Sequence, residues 1–226
     1  MQCSSSKAVI IVAGGVGKRL GADLPKQYLP LRSKPILIRT LENVYKAEPN
    51  ATIVVVIAKE MYEFWQEMCE KYDCKVKHIL APAGKERFFS VLSGLKALEK
   101  KDISLVAIHD GVRCFVDKDI FENCFAKAEE KGAVVCACKS IDSVRYKNKA
   151  VDRADVYLVQ TPQCFKYEII KKAYETPYKD CFTDDASVVE AIGEKIHIVE
   201  GSRENIKITT PFDLKIAESI LDEREY

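Results

Sequence analysis

Glycines and cations crowd one stretch near the start of the chain: Ala13-Gly14-Gly15-Val16-Gly17-Lys18-Arg19-Leu20, then Pro25-Lys26-Gln27. Glycines directly after an apolar run let backbone N–H groups approach a phosphate chain, because no Cβ holds the ligand away. Their order is not G-x-G-x-x-G, and the Gly-Lys pair lacks the following Ser or Thr of a P-loop. What the loop offers instead is Arg19 and Lys26, two positive side chains that can neutralise charge building up when an α-phosphoryl group is attacked. A tight turn with solvated basic residues would read the same way, so the loop alone leaves both open. Asp110, in the string His109-Asp110-Gly111-Val112-Arg113, could hold Mg²⁺ or orient an acceptor, since hard oxygen ligands suit that ion. The alternative, a helix cap or turn carboxylate, is disfavoured by the H-D-x-x-R context.

The elements that must position these groups alternate. Residues 7–13 form a continuously apolar run that reads as a strand buried on both faces. Residues 35–47 read as a helix, with Ser33 near its start and Pro35 in the first turn, where a missing N–H costs least. A strand at 52–58, a helix at 60–72, a strand at 75–80 and a helix at 85–100 follow. The last helix would place Phe89, Leu92, Leu95 and Leu98 on one face. Then come a strand at 105–109, a helix at 118–131 and a strand at 133–138. Strands alternating with helices imply one doubly wound α/β domain with a mainly parallel sheet. Asp110 would then end a strand at the carboxyl edge of the sheet, where such folds bind ligands. Residues 139–160 break the rhythm. They carry Lys139, Arg145, Lys147, Lys149 and Arg153 among few core-like apolar positions, which reads as a polar hairpin or projecting arm, or equally as a solvated loop. Helices near 166–174 and 184–192, a strand at 195–200 and a closing helix at 211–221 complete the chain.

Taken together, the motifs resemble those of a known family. A-G-G-x-G-x-R-L followed by P-K-Q is similar to the signature loop of nucleotidylyltransferases with a Rossmann-like, glycosyltransferase-A-like fold. Glu86-Arg87-Phe88-Phe89-Ser90-Val91, His109 to Arg113, Gln160-Thr161-Pro162-Gln163, Thr183-Asp184-Asp185-Ala186-Ser187 and Glu204-Asn205-Ile206-Lys207-Ile208-Thr209 resemble the 2-C-methyl-D-erythritol 4-phosphate cytidylyltransferases. The match is collinear and spans almost the whole chain. The resemblance implies transfer of a cytidylyl group from CTP to a sugar-alcohol phosphate with loss of pyrophosphate, dependent on Mg²⁺. It implies catalytic roles for Arg19, Lys26, Arg153 and Lys207, and nucleotide contacts from Ala13, Gly14, Gly15, Gly17, Gly84, Arg87 and Ser90. Acceptor contacts would come from Asp110, Arg113, Ser143, Thr161 and Thr183, with Asp110 also the metal ligand. It further implies a homodimer joined through the arm at 139–160. Two departures stand out: Cys114 where the family usually has Pro, and Ser143 where its arm usually has Thr. A related branch uses ribitol 5-phosphate; the Ser187 of the Thr183 run fits the methylerythritol branch better. The acceptor phosphate oxygen is already anionic, so no covalent nucleophile is required.

The bulk properties agree. The chain has 226 residues, a formal net charge of +1, 47% hydrophobic and 31% charged residues, as an ordinary globular domain should. Near-neutral charge and the lack of an interleaved aromatic and basic surface disfavour a nucleic-acid partner. No apolar run approaches the ~20 residues that span a bilayer, and residues 1–7 lack the pattern of a secretory leader. A cytoplasmic setting is therefore expected. The nine cysteines are widely spread, without C-x-x-C pairs or zinc-ligand spacing with the three histidines. They read as small buried hydrophobes in a reducing compartment.

Overall fold

The computed structural model describes residues 6–15 and 24–224. Gly17 and Arg19 of the glycine loop lie outside the described residues. One mixed sheet of seven strands organises the chain, in the order β11-β7-β10-β6-β1-β4-β5. Its strands are β1 (Lys7–Val12), β4 (Thr52–Ile57), β5 (Ile79–Pro82), β6 (Leu105–Asp110), β7 (Ala133–Lys139), β10 (Tyr157–Lys166) and β11 (His197–Glu200). Four adjacent pairs are parallel, and β10 runs antiparallel to both β6 and β7. Short pairs β2 (Pro30–Leu31) with β3 (Lys34–Pro35), and β8 (Val144–Tyr146) with β9 (Lys149–Val151), stand outside the sheet.

Helices cover both faces: α1 (Ile36–Ala47), α2 (Tyr62–Lys71), α3 (Arg87–Lys96), α4 (Lys118–Lys131), α5 (Tyr167–Ala173), α6 (Asp185–Glu190) and α7 (Pro211–Arg224). The period of two along each strand sorts the core. Val9 and Ile11 of β1 pack with Ile53 and Val55 against α1, α2 and α4, while Ala8 and Ile10 pack with Val54 and Val56 against α3, α5 and α6. Both faces being buried explains why β1 and β4 are continuously apolar rather than alternating. A third cluster joins α7 to the segment after β6 through Ile208, Ala217, Val112 and Phe115.

Several boundaries differ from the sequence expectations. Residues 75–78 are not strand; β5 begins at Ile79, where pairing with Val54 of β4 starts. Pro35 ends β3 and is the N-cap of α1 rather than a residue of its first turn. On α3 the buried face is Phe88, Val91 and Leu95, with Phe89 exposed. Residues 157–160 belong to β10, so the arm ends earlier than expected. Nor is the arm poor in apolar side chains, since Ile141, Tyr146, Val151, Tyr157 and Leu158 all stand exposed on or beside it. The cysteines also divide: Cys114, Cys124, Cys136 and Cys164 are buried, Cys69, Cys74 and Cys138 are half-buried, and Cys181 is exposed. Among the described residues no helix is long and apolar enough to cross a membrane.

Candidate functional site

Chain order places a topological switch between β1 and β6. From β1 the chain moves outward through β4 to β5, then returns to β6 on the other side. The carboxyl ends of these strands therefore open a crevice, the usual ligand position in such sheets. Gly111 N–H donates to Val12 O at 2.9 Å, Ala13 N–H to Val56 O at 2.8 Å, and Ala83 N–H to Ile57 O at 2.8 Å. These bonds bring Gly14, Gly84 and Asp110 to one edge. Gly14 must be glycine for a steric reason, because a Cβ there would lie 2.3 Å from the Ala83 Cβ. Gln27, almost fully buried, donates to Ala13 O at 2.6 Å and to Gly15 O at 3.1 Å. That amide holds the described start of the glycine loop against the segment carrying Lys26.

Asp110 sits at the centre, with only 7% of its surface exposed. Its carboxylate meets Lys207 Nζ at 3.0 Å, Arg113 Nε at 3.3 Å and Arg87 Nε at 3.6 Å. Burial alone would favour the neutral acid, but Arg87, Lys207 and Arg113 hold its carboxyl well below the usual carboxylate range. The two arginines are anchored elsewhere as well. Arg87 donates at 2.6 Å to Asp185, whose other oxygen accepts from Tyr174 Oη at 2.6 Å. Arg113 donates to Asn205 O at 2.7 Å. Asn205 Nδ2 in turn donates to Thr161 O at 2.9 Å.

Thr161 and His109 fix the strand end that carries Asp110. His109 is fully buried and burial pulls its imidazole down to about 4, so it is neutral at pH 7. Its Nε2 lies 2.9 Å from Arg113 O, which can only accept, so Nε2 carries the proton. Nδ1 then accepts from Thr161 Oγ1 at 3.1 Å, and that hydroxyl accepts from Asp110 N–H at 3.0 Å. Gln163 ties the same region to α6: it donates to Asp184 Oδ2 at 2.9 Å and accepts from Ala186 N–H at 2.9 Å.

Two clefts meet at this cluster. One, of about 200 Å³, is lined by Ala13, Gly14, Gly15, Lys26, Gly84, Lys85, Glu86, Arg87, Ser90, Asp110 and Lys207, among others. Its basic side chains outnumber its carboxylates, as a polyanion requires. Ser90 shapes its rim: the hydroxyl accepts from Gly84 N–H at 3.0 Å and donates to Glu86 O at 3.2 Å. The other, of about 310 Å³, is lined by Arg113, Thr161, Gln163, Thr183 and Asp184. Arg87, Asp110 and Lys207 line both. Ser143 and Arg153 line neither; both are exposed on the arm, where Arg153 donates to Ile141 O at 2.9 Å.

The sequence reading gave no role to His109, Gln27, Gln163, Asn205, Asp185 or Tyr174. The first five lie inside or beside the quoted motifs, a signal that they matter but not for what. Tyr174 carries no motif; only the fold brings it to Asp185.

Comparison with known proteins gives a consistent result. The family model for 2-C-methyl-D-erythritol 4-phosphate cytidylyltransferase (IspD) matches residues 7–223. A protein of that name from Bacteroides fragilis is 45% identical over 219 residues, covering 95% of this chain and 99% of its own. Another from Phocaeicola vulgatus is 45% identical over 220 residues, covering 96% and 100%. Among solved structures, the 4-diphosphocytidyl-2C-methyl-D-erythritol synthase of Anaerococcus prevotii superposes with a TM-score of 0.81 at 31% identity, covering 96% of each chain. The bifunctional IspDF of Campylobacter jejuni superposes with a TM-score of 0.79 at 29% identity, covering 93% of this chain and 54% of its own.

Proposed function

The chain belongs to the 2-C-methyl-D-erythritol 4-phosphate cytidylyltransferase family, and from that premise we propose a division of labour between its two clefts. The activity is a CTP-dependent nucleotidyl transfer: CTP and 2-C-methyl-D-erythritol 4-phosphate give 4-diphosphocytidyl-2-C-methylerythritol and pyrophosphate, a step of non-mevalonate isoprenoid biosynthesis. The cleft beside Gly14, Gly15 and Gly84 takes CTP, with Ala13, Arg87 and Ser90 shaping its wall and Gly17 assigned to the nucleotide by its sequence motif alone. The cleft beside Arg113, Thr161 and Thr183 takes the acceptor. One observation carries this assignment: the clefts share only a charged junction, Arg87, Asp110 and Lys207. A phosphate oxygen of the acceptor can therefore reach the α-phosphorus of the nucleotide.

In that reaction the acceptor oxygen forms a bond to the α-phosphorus as the bond to pyrophosphate breaks. Lys26, Arg19 and Lys207 offset the charge that develops on the phosphoryl oxygens. Asp110 removes no proton, since its conjugate acid is strongly disfavoured and the acceptor is already ionised. It orders the cations instead. Thr161 acts through Asp110, because its proton is committed to His109.

Mg²⁺ belongs to this reading. Among the described residues no cluster of three or more His, Cys, Asp or Glu could cage an ion. A single carboxylate suits Mg²⁺ that keeps water and takes other oxygens from phosphates, and Asp110 is that carboxylate. The ion would neutralise triphosphate charge. Ser143 and Arg153, remote from both clefts in their own chain, would serve the acceptor site of a second copy, making the enzyme a homodimer joined by the arm. The free thiols suit a cytoplasmic setting.

Pyrophosphate release from CTP tests the assignment. The methylerythritol phosphate should exceed ribitol 5-phosphate at least tenfold in kcat/KM, about 1.4 kcal/mol of differential transition-state binding. CTP should be used well above ATP, and chelating Mg²⁺ should abolish turnover. A reversed acceptor ratio would move the chain to the ribitol branch, and equal use of ATP would remove the cytidylyl assignment.

A further inference from the structure

Far from both clefts, the end of α2 brings two cysteines together that are separated by four residues in sequence. The helix stops in a Schellman turn. Asp73 adopts a left-handed conformation with φ of 50°, which Asp tolerates better than most residues. Asp73 N–H donates to Glu70 O at 3.1 Å and Cys74 N–H to Cys69 O at 2.8 Å. Those are the two crossed bonds of the motif, and its geometry sets the side chains at the bonded outer positions against each other, where a hydrophobic contact usually sits. Here both positions are cysteine. The turn therefore sets the two thiols against each other; both are half-buried rather than sealed, and both pack at the margin of the core formed by α1, α2 and α4.

We propose that Cys69 and Cys74 form a redox-convertible dithiol, a modification site that a low-molecular-weight disulfide closes to an intramolecular disulfide. Cys74 is the attacking group. The hydrogen bond from Cys69, assisted by the Val76 backbone and Lys34 and opposed by burial and by Glu42, brings its thiol down to about 7. Cys69, the donor in that bond, is pushed far up, first by the bond and then by burial. Cys74 thiolate attacks one sulfur of the small disulfide, whose S–S bond breaks and releases one thiolate. Cys69 then gives up its proton and attacks the Cys74 sulfur, releasing the second thiolate. The protein loses two electrons and two protons, and the small disulfide takes both to become two thiols. The core thiols cannot compete: Cys114, Cys124, Cys136 and Cys164 are all buried, out of reach of a small disulfide in solution.

The test uses the intact protein and hydroxyethyl disulfide at neutral pH, followed by blocking of free thiols and tryptic digestion without reduction. Cleavage after Lys71 separates the two cysteines, so closure links the peptide 60–71 to the peptide 72–75, two hydrogens below their summed mass. Reduction should part them. The Cys69→Ser variant, which lacks the resolving thiol, should instead accumulate the hydroxyethyl adduct on Cys74. Recovery of the two peptides unlinked from the wild type, while exposed Cys181 carries the adduct, would overturn the proposal. So would a lasting adduct on Cys74 of the wild type with Cys69 free.

Discussion

Asp110 is buried and charged because three cations converge on it, and the two arginines are each tied down by a second partner. Such a cluster is worth little to stability, since desolvation offsets most of the attraction. Its value is positional: Lys207 and Arg87 stand where the two clefts meet without needing to reorganise. Lys207 is the most exposed of the three, so Lys207→Ala should leave the fold intact while lowering kcat by roughly two orders of magnitude, the scale for loss of one transition-state donor. KM should change less. Steady-state kinetics decides it, and a raised KM with unchanged kcat would make Lys207 a ground-state binder. The neighbouring glycines separate a steric from a binding role. Gly14→Ala drives a Cβ into Ala83 and should lower Tm, whereas Gly15→Ala meets nothing within 4 Å and should keep Tm while raising KM for CTP. Equal Tm for the two variants would contradict the packing seen at Gly14. Much of this was readable in the sequence, since Asp110 and Arg113 are one motif and Gly14 to Gln27 another. The Tyr174–Asp185–Arg87 chain was not. Arg87 and Asp185 are 98 positions apart, and only the fold, which brings the start of α3 against the start of α6, makes them partners.

At the scale of elements, the errors have physical causes. β10 was hidden because Pro162 interrupts its sequence, and proline normally excludes a central strand. The chain absorbs it with a break in register between Val159 and Gln163 against β7, so pairing resumes on the far side. The early start assigned to β5 came from Lys75 and Lys77, whose alternation with Val76 suggests a half-buried strand. The strand is Ile79–Pro82, which lies against β4 in a sheet covered on both faces. On α3 Leu95 and Leu98 are buried as expected, but Phe88 and Phe89 are adjacent and equally apolar, and packing against Tyr174, at 4.6 Å between ring centroids, selects Phe88. The start of α7 obeys local rules instead. Asp213 accepts from Thr209 N–H at 2.8 Å and Thr210 N–H at 2.7 Å, and donates its own N–H to Thr210 Oγ1 at 3.2 Å. Desolvation opposes the charge, but the bonds from Thr209 and Thr210 outweigh it and lower the Asp213 carboxyl. Its contribution is therefore present above the ordinary Asp range and fades as pH falls through it. Asp213→Asn should cost about 1 kcal/mol at pH 7, the usual worth of a helix cap. The difference from wild type should vanish in acid. Urea titrations at the two pH values measure it, and a pH-independent gap would mean the charge plays no part.

At the scale of the whole molecule, the arm leaves apolar side chains exposed. Residues 140–156 project from the sheet with Arg153 and Ser143 out of reach of their own clefts, while Tyr146 and Leu158 are 65% and 57% exposed. Exposed apolar groups clustered on a projecting hairpin mark a contact surface, and a closed two-fold dimer would bury them on both copies. If the partner's Ser143 completes each acceptor site while Lys26 serves its own chain, two inactive variants should rescue one another. Ser143→Asp sets a negative charge against the acceptor phosphate, and Lys26→Ala removes a cation that faces CTP. In a mixed dimer, one site combines a native Lys26 with a native Ser143 from the other chain, and the second site carries both defects. Refolding the variants together in equal amounts makes half the dimers mixed, so activity should recover to about a quarter of wild type. Each variant refolded alone supplies the baseline, and sedimentation confirms that mixed dimers have formed. Activity no higher than the mean of the two baselines, with mixed dimers present, would mean that each acceptor site is built within a single chain.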